Sequence, residues 1–178
     1  MSIQSARKQA ELLITSLGIK SPPVKVEDIA RHLGLRVLSM ELEEGVSGLL
    51  ITKPGMDSIV VRADDPRRRQ RFTVAHEIAH FHLRHQFEAG EHVHVDRGYR
   101  ISHRDQKSST GTDLKEIEAN QFAASLLMPT ALIMESVKRL ETKALCDEHV
   151  TKLADEFKVS EQAMIIRLSV LGLLPSKV

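Results

Sequence analysis

The amino-acid sequence predicts a compact α+β fold, in which helices surround a small three-stranded sheet that is antiparallel or mixed. Three short runs of residues that favour β-strands lie close together between residues 35 and 63. The segments before and after them repeat apolar residues every three or four positions, which is the helical period. With 178 residues and 42 % apolar content, the chain suits one domain of ordinary size with a small appendage.

Two helices are predicted before the sheet. The first ends at Gly18, because glycine readily adopts the backbone conformation that terminates helices. Pro22 and Pro23 then interrupt the chain, and a second, shorter helix ends at Gly34. The residues expected to face the core are Ala6, Ala10, Leu13, Ile14 and Leu17 in the first helix and Val26, Ile29, Ala30 and Leu33 in the second.

The three β-rich runs are LRVLSM, VSGLLIT and SIVVRA, which begin at Leu35, Val46 and Ser58. The last two flank KPGMD, whose Pro-Gly pair is typical of a tight turn. Connections this short favour antiparallel pairing, so we expect a mostly antiparallel sheet. The polar segment 86–112 indicates a long functional loop, with a strand or two near HVHV and YRIS.

The most informative motif is H-E-x-x-H, formed by His76, Glu77 and His80 within a helix predicted from Pro66 to about His85. Residues four apart lie one turn apart on the same face, so His76 and His80 can hold one ion together. Glu77 points away from that pair but can reach a water molecule on the metal. This is the division of labour in zinc peptidases, in which the glutamate acts as general base.

A chain with nine histidines can also contain this motif by chance, and a buried histidine can simply be hydrogen-bonded in a core. The neighbouring residues favour the metal, because apolar residues surround the helix on nearly every side, as in a buried helix. Two buried imidazoles and a carboxylate are costly unless they are paired, and a divalent cation pairs with them directly. His82 and His85 lie off the face of the pair and are interpreted as ordinary, partly exposed residues.

The third ligand is sought in DLKEIEANQFAASLLMP, a helix predicted to begin near Asp113 and to end before Pro129. Catalytic zinc usually has three protein ligands, and Glu116 supplies a carboxylate. Asn120 follows one turn later on the same face, where its amide can orient a ligating histidine. Glu116 also fits the end of a capping box that starts at Asp113, and from spacing alone both interpretations remain open. Glu118 projects away from Glu116 and is expected to point elsewhere.

Together, RFTVAHEIAHFHLRH and EIEANQFAASLLMP resemble the ImmA/IrrE family of metallo-endopeptidases. The resemblance implies a gluzincin-like (minimal zincin) domain with an active-site helix. The site residues that it implies are His76, His80 and Glu116 as metal ligands, Glu77 as the catalytic base, and Asn120 as the support of a ligating histidine. The metal is expected to be Zn²⁺, although Mn²⁺ or another divalent ion could use the same ligands.

The predicted reaction is hydrolysis of a peptide bond by metal-activated water, with Glu77 taking and returning the proton. The developing oxyanion needs a further donor, and the candidates are Tyr99, His103 and Arg104 in the loop between the two motifs. SIVVRA precedes the active-site helix, so its edge is expected to bind the substrate as an added strand. The resemblance implies that this substrate is a helix-turn-helix transcriptional repressor or an antitoxin-type partner, whose cleavage releases transcription after stress.

Two other functions remain open. A peptidase-like module could sequester a repressor or antitoxin without hydrolysing it, although a pure binder does not need Glu77. A metal-dependent hydrolase of small amides would act without any protein partner. The sequence does not determine the activating signal or the oligomeric state.

Residues 1–137 are predicted to form the peptidase domain, and residues 138–178 a helical, helix-turn-helix-like extension packed on it with its turn at Lys158 to Ser160. The second helix of the extension has few basic residues, and the net charge of +1 provides no large attraction to nucleic acid. The basic cluster DDPRRRQR is interpreted as a helix start, with Asp65 as its cap and Pro66 at the first position. Direct DNA binding is therefore not expected.

The composition favours a cytoplasmic protein. The single cysteine, Cys146, excludes an internal disulfide and fits a reducing compartment. The N-terminal residues mix charges with apolar residues and lack the continuous apolar core of a secretory signal. No apolar run approaches the ~20 residues that are needed to span a bilayer. Neither secretion nor membrane anchoring is predicted.

Overall fold

The structure, a computed structural model, describes residues 2–53, 55–85, 93–96, 110–142 and 144–174. Within these ranges the chain forms helices and one small sheet, which confirms the α+β class. The elements are α1 (Ile3–Ser16), α2 (Val26–His32), β1 (Arg36–Met40), β2 (Gly48–Ile51), β3 (Ser58–Arg62), α3 (Arg67–His82), β4 (Val93–Asp96), α4 (Thr110–Leu127), α5 (Thr130–Arg139), α6 (Asp147–Phe157) and α7 (Glu161–Val170). None of the described helices is both long and apolar enough to cross a membrane.

The described strands form one mixed sheet in the order β1-β3-β2-β4. β2 and β3 pair antiparallel across the predicted turn, whereas β1 pairs with β3 in parallel, with Val37 opposite Ile59. β4 lies antiparallel to β2 and places His94 opposite Leu50. The sheet has four described strands where three were predicted, and the fourth, β4, is the short strand of 4 residues that was expected near HVHV. The other strand, expected near YRIS, falls outside the described residues.

The order of the strands also corrects the expected substrate edge. β3, which contains most of SIVVRA, lies between β1 and β2, so both of its edges are already paired. Its residues from Ser58 to Val61 are all buried. Among the described strands the edge positions belong to β1 and β4, and a substrate strand cannot add along β3.

Helix α3 runs through the centre of the molecule. It packs against β2 and β3 and also against α2 and α4. Every residue from Thr73 to His80 is buried, which confirms the interpretation of this segment as a buried helix. Ala75 and Ala79 are fully buried, and side chains this small allow neighbouring elements to approach closely. The cap of α3 is Pro66 and not Asp65, so the predicted capping residue is wrong by one position.

The arginine run at the start of α3 ties this helix to its neighbours. Arg68 donates to the carbonyl oxygen of Val159 at 2.9 Å, in the turn between α6 and α7. Arg71 is buried and donates to the carbonyl oxygen of Val24 at 2.9 Å, just before α2. These hydrogen bonds give two arginines of the basic cluster a structural role within the protein.

The C-terminal helices α6 and α7 form a helix-turn-helix pair that packs on the rest of the protein. Residues 158–160 join the two helices, as the sequence predicts. The ring of Phe157 is fully buried in the same apolar cluster as residues of α3 and α4. Arg167 is 4 % exposed and donates to the carbonyl oxygen of Met128 at 2.9 Å. The domain boundary after residue 137 stays a prediction.

Candidate metal centre

Two imidazoles of α3 lie side by side in the protein interior. His76 and His80 are one helical turn apart, and their Nε2 atoms approach to 3.0 Å. These residues are 2 % and 1 % exposed, and their rings meet edge to face with centroids 4.7 Å apart. The structure thus brings together the two histidines of the H-E-x-x-H motif.

Helix α4 carries a carboxylate to the same point. Glu116 places Oε2 3.2 Å from His76 Nε2 and Oε1 3.3 Å from His80 Nε2. One donor atom from each of the three residues lies within 4.8 Å of the others, a spacing that suits a shared ion. α4 begins at Thr110, so Asp113 lies inside the helix and the capping-box interpretation of Glu116 is wrong.

The outer ring nitrogens of both histidines also have partners. His76 Nδ1 lies 3.0 Å from Asn120 Oδ1, so the side chain of Asn120 contacts a candidate ligand. His80 Nδ1 lies 3.1 Å from His85 Nδ1, and His85 Nε2 lies 3.2 Å from Glu118 Oε2. His85 and Glu118 are buried, so the interpretation of His85 as a partly exposed residue is wrong. No local pattern could reveal this pair, because 33 positions separate its members.

Glu77 is fully buried, and a histidine from the sheet lies against it. His94, on β4, places Nδ1 3.2 Å from Glu77 Oε2 and Nε2 3.2 Å from Glu116 Oε1. His94 is not among the residues that the sequence predicts for the site. The available signal was the alternation in HVHV, which places histidines on one face of a strand. The pairing of β4 with β2 carries His94 to the site, and that pairing is not visible in the sequence.

The backbone of β2 comes unusually close to α3 at Gly48. A β-carbon at this position would lie 2.3 Å from Thr73 Cγ2, 3.2 Å from the carbonyl oxygen of Val60 and 3.6 Å from Glu77 Oε1. Real β-carbons do not approach other atoms as closely as the first of these distances. Glycine therefore allows the sheet to lie directly against the helix that carries the motif.

Burial and hydrogen bonding set the protonation of the site. Burial lowers the pKa of His80 to about 3, so its ring is neutral at neutral pH. Burial alone would raise the pKa of Glu116, but its contacts with His76, His80 and His94 outweigh burial and hold that pKa well below its usual value. Burial alone would lower the pKa of His94, but its contacts with Glu116 and Glu77 raise it to about 9.

These donor atoms fit a divalent cation such as zinc. Donation from His76 Nδ1 to Asn120 Oδ1 leaves the lone pair of His76 on Nε2. The neutral His80 ring brings a second nitrogen to the same point, and Glu116 brings a carboxylate oxygen. Acceptors that converge in a buried place are costly without a positive charge between them. Two imidazoles and one carboxylate form a ligand set of catalytic zinc sites.

The residues that are predicted to donate hydrogen bonds to the oxyanion lie in the segment between β4 and α4. Tyr99, His103 and Arg104 fall outside the residues that the structure describes. Their role as donors to an oxyanion therefore stays a prediction. His94, which belongs to the same long connection between α3 and α4, does reach the site.

Comparison with known proteins assigns the chain to a family. Residues 30–169 match the model of a peptidase family that is described as the IrrE N-terminal-like domain. The chain belongs to the ImmA/IrrE family. The matched range contains the H-E-x-x-H motif and Glu116, and it extends into α7. No curated protein matches the sequence at a significant level.

A solved structure shares the fold of this ImmA/IrrE protein. It is described as a Mycobacterium tuberculosis transcriptional regulator, and it aligns with a TM-score of 0.62 and 17 % sequence identity. The alignment covers 94 % of this chain and 47 % of the regulator, so the chain spans about half the length of that protein. At this identity the likeness concerns the fold alone. Membership of the family indicates a peptidase-type domain of metallopeptidase character.

Proposed function

We propose that this ImmA/IrrE protein is a zinc-dependent endopeptidase that cleaves a regulatory protein. The observation that carries the proposal is the convergence of His76, His80 and Glu116, with Glu77 buried beside them. Catalytic zinc sites combine three protein ligands of these types with one open position. Mn²⁺ or another divalent ion would suit the same ligands.

The proposed reaction follows from the place of Glu77 beside the ligands. Bound zinc would act as a Lewis acid toward the scissile carbonyl and the attacking water. Glu77 accepts a proton from this water while the water oxygen adds to the carbonyl carbon. When the carbon–nitrogen bond breaks, Glu77 returns that proton to the leaving amine.

His94 supports the proposal as a positioning residue. A hydrogen bond from His94 Nδ1 to Glu77 Oε2, 3.2 Å away, holds the carboxylate in one orientation. His94 lies on β4, which is an edge strand among the described strands. A substrate that adds to this edge by backbone hydrogen bonds would pass beside the site. The substrate edge is therefore proposed at β4 instead of β3.

A protein substrate is supported by the resemblance and by the surface of α7. The resemblance implies a helix-turn-helix repressor or an antitoxin-type partner, and the similar solved structure is named a transcriptional regulator. α7 exposes Ile165, Ile166 and Val170, whereas its Arg167 is buried. A surface of this kind suits contact with a protein, since DNA binding depends on exposed basic residues.

The test compares Glu77→Gln with His82→Gln, which introduces the same residue elsewhere on α3. Each protein is loaded with one equivalent of Zn²⁺ and incubated with its co-purifying protein partner and with a peptide library. Mass spectrometry then detects fragments. Glu77→Gln should bind zinc stoichiometrically and lose cleavage by about 100-fold or more, because the general base is absent. His82→Gln should retain both properties, and full activity of Glu77→Gln would refute the mechanism.

The alternative function is a peptidase-like module that sequesters its partner without cutting it. The burial of Glu77 argues against this alternative, because a fully buried carboxylate is costly and a pure binder gains nothing from it. A partner that binds tightly and stays intact with either Zn²⁺ or Mn²⁺ would support sequestration. Hydrolysis of small amides without any cleavage of proteins would support a small-amide hydrolase.

A further inference from the structure

We propose that Glu118 and His85 form a hydrogen-bonded relay that sets the tautomer of His80 and so prepares its Nε2 atom for a metal ion. The inference rests on the proposed metallopeptidase function. His76 has a different support, because its outer nitrogen contacts Asn120 directly. Glu118 and His85 are positioning residues, since they act through His80.

The backbone at the C-terminal end of α3 positions His85 for this relay. After the cap at Leu83, Arg84 adopts a left-handed backbone conformation with φ of 53°. The amide of His85 then bonds to the carbonyl oxygen of His80 at 3.0 Å. In this type of helix ending, the residue after the left-handed one usually packs an apolar side chain against the last turn. Here that residue is His85, and its ring meets the ring of His80 with centroids 5.0 Å apart.

The contacts along the relay determine where the protons lie. Glu118 Oε2 is an acceptor, so His85 Nε2, which lies 3.2 Å away, carries the proton. A neutral His85 ring then has its lone pair on Nδ1. This lone pair faces His80 Nδ1 at 3.1 Å, so His80 Nδ1 carries a proton and donates it. The lone pair of His80 is consequently on Nε2, the atom that lies 3.3 Å from Glu116.

The opposite tautomer of His80 is unfavourable for a physical reason. With its proton on Nε2, His80 could donate to Glu116 Oε1, 3.3 Å away, but it would set the lone pair of its Nδ1 against the lone pair of His85 Nδ1. His80, His85 and Glu118 are 1 %, 9 % and 5 % exposed, so water cannot readily replace the missing hydrogen bond. A metal ion binds only the unprotonated nitrogen. Loss of such a support typically lowers metal affinity by about 10- to 100-fold.

A purely structural role of the pair predicts a different result. A buried contact between the end of α3 and α4 also stabilises the fold, so its loss would lower stability with or without metal. Two measurements separate these roles, namely the zinc affinity of the folded protein and the identity of the protonated nitrogen of His80. If the pair only joins two helices, its removal should leave both the zinc affinity and the protonated nitrogen of His80 unchanged.

Three variants and a matched control test the relay. His85→Phe keeps an aromatic ring but removes both nitrogens, whereas His85→Gln keeps one acceptor and one donor on a side chain of similar reach. Glu118→Gln retains the shape of the side chain and weakens the acceptor. His82→Phe makes the same exchange nearby, at the same end of α3 but outside the relay.

The first readout is the Kd for zinc, measured by competition with a chromophoric chelator. We expect it to rise about 10- to 100-fold in His85→Phe and by a smaller factor in Glu118→Gln. His85→Gln should recover most of the affinity, and His82→Phe should bind zinc like the wild type. Circular dichroism of each metal-free variant establishes that it is folded. If His85→Phe does not fold, Glu118→Gln and the second readout still decide.

The second readout uses the metal-free wild-type protein. Nitrogen-15 chemical shifts of the histidine rings identify the protonated nitrogen, which we expect to be Nδ1 in His80 and Nε2 in His85. Protonation of His80 at Nε2, or an unchanged Kd in both His85→Phe and Glu118→Gln, would overturn the relay. If the wild type shows the expected tautomers but binds neither Zn²⁺ nor Mn²⁺, the hydrogen-bonded arrangement stands, while its role in metal binding and the proposed metallopeptidase function both fail.

Discussion

Replacement of Gly48 by alanine tests how closely the sheet must approach the active-site helix. The added β-carbon would lie 2.3 Å from Thr73 Cγ2 and 3.2 Å from the carbonyl oxygen of Val60. Carbon atoms in ordinary contact are about 3.5–4.0 Å apart, so β2 and α3 must separate locally by roughly 1 Å. Rotation of Thr73 cannot relieve the contact easily, because this side chain is fully buried and β-branched.

The expected magnitude follows from this geometry. Overpacking of a core costs about 1–3 kcal/mol, and a contact with a stiff, buried side chain places Gly48→Ala near the upper end, at about 2–3 kcal/mol. In a chain of this size that loss lowers Tm by about 5–10 °C. The new β-carbon would also lie 3.6 Å from Glu77 Oε1, so the displacement reaches the proposed base. Misplacement by about 1 Å should lower kcat by about 10- to 100-fold.

Thr73→Ser is the compensating change, because it removes the Cγ2 methyl group and keeps the hydroxyl. Denaturant unfolding of the wild type, both single variants and the double variant measures the coupling between the two positions. We expect the double variant to be more stable than the sum of the single effects predicts, by about 1 kcal/mol or more. Wild-type stability and activity in Gly48→Ala, or strict additivity in the cycle, would refute the reasoning.

Three further changes test other parts of the structure. Zinc at about 100 times its Kd should stabilise the wild-type protein by about 2.7 kcal/mol, which a thermal melt detects as a rise in Tm. Glu116→Ala should show no rise in Tm, because it lacks the ligating carboxylate. An equal rise in both proteins would exclude Glu116 as a ligand. With a chelator present, the free energy of unfolding should fall as pH rises from 6.5 to about 9. The pKa of His94 is raised from 6.5 to about 9, so the stability that its contacts contribute is complete below pH 6.5 and lost above pH 9. His94→Gln should flatten that dependence in denaturant titrations, and an unchanged slope would count against the contact. Arg167→Met should lower the free energy of unfolding by about 2–3 kcal/mol, since it leaves Glu11 without its buried partner. Arg139→Met is the control, because it removes an exposed ion pair and should lower the free energy of unfolding by less than about 1 kcal/mol. Equal losses of stability in the two variants would contradict the anchoring of α7 by Arg167.

The adjacency of His76 and His80 could be predicted because the geometry of a helix is local. Residues four apart must share a face, whatever the rest of the chain does. The burial of α3 was equally predictable, because apolar residues surround it on nearly every side. The position of Glu116 was less certain, since the same spacing fits a helix cap, and only the start of α4 at Thr110 removes that interpretation.

The contacts of His94 could not be predicted in the same way. His94 lies 17 positions from Glu77 in the chain, and it meets that residue only because β4 joins the edge of the sheet. The parallel pairing of β1 with β3 is a similar case, since a short turn signal reports only on the two strands that it connects. The expected substrate edge at β3 was wrong for this reason.

The sequence by itself determined the helices, the family and the residues of the H-E-x-x-H motif, because periodicity and motif spacing act over a few residues. Only the tertiary structure decided which side chains surround that motif. Glu116, His94, His85 and Glu118 come from three separate segments, and their positions depend on how α3, α4 and the sheet pack together. Packing of this kind minimises exposed apolar surface over the whole chain at once, so no short stretch of sequence contains it.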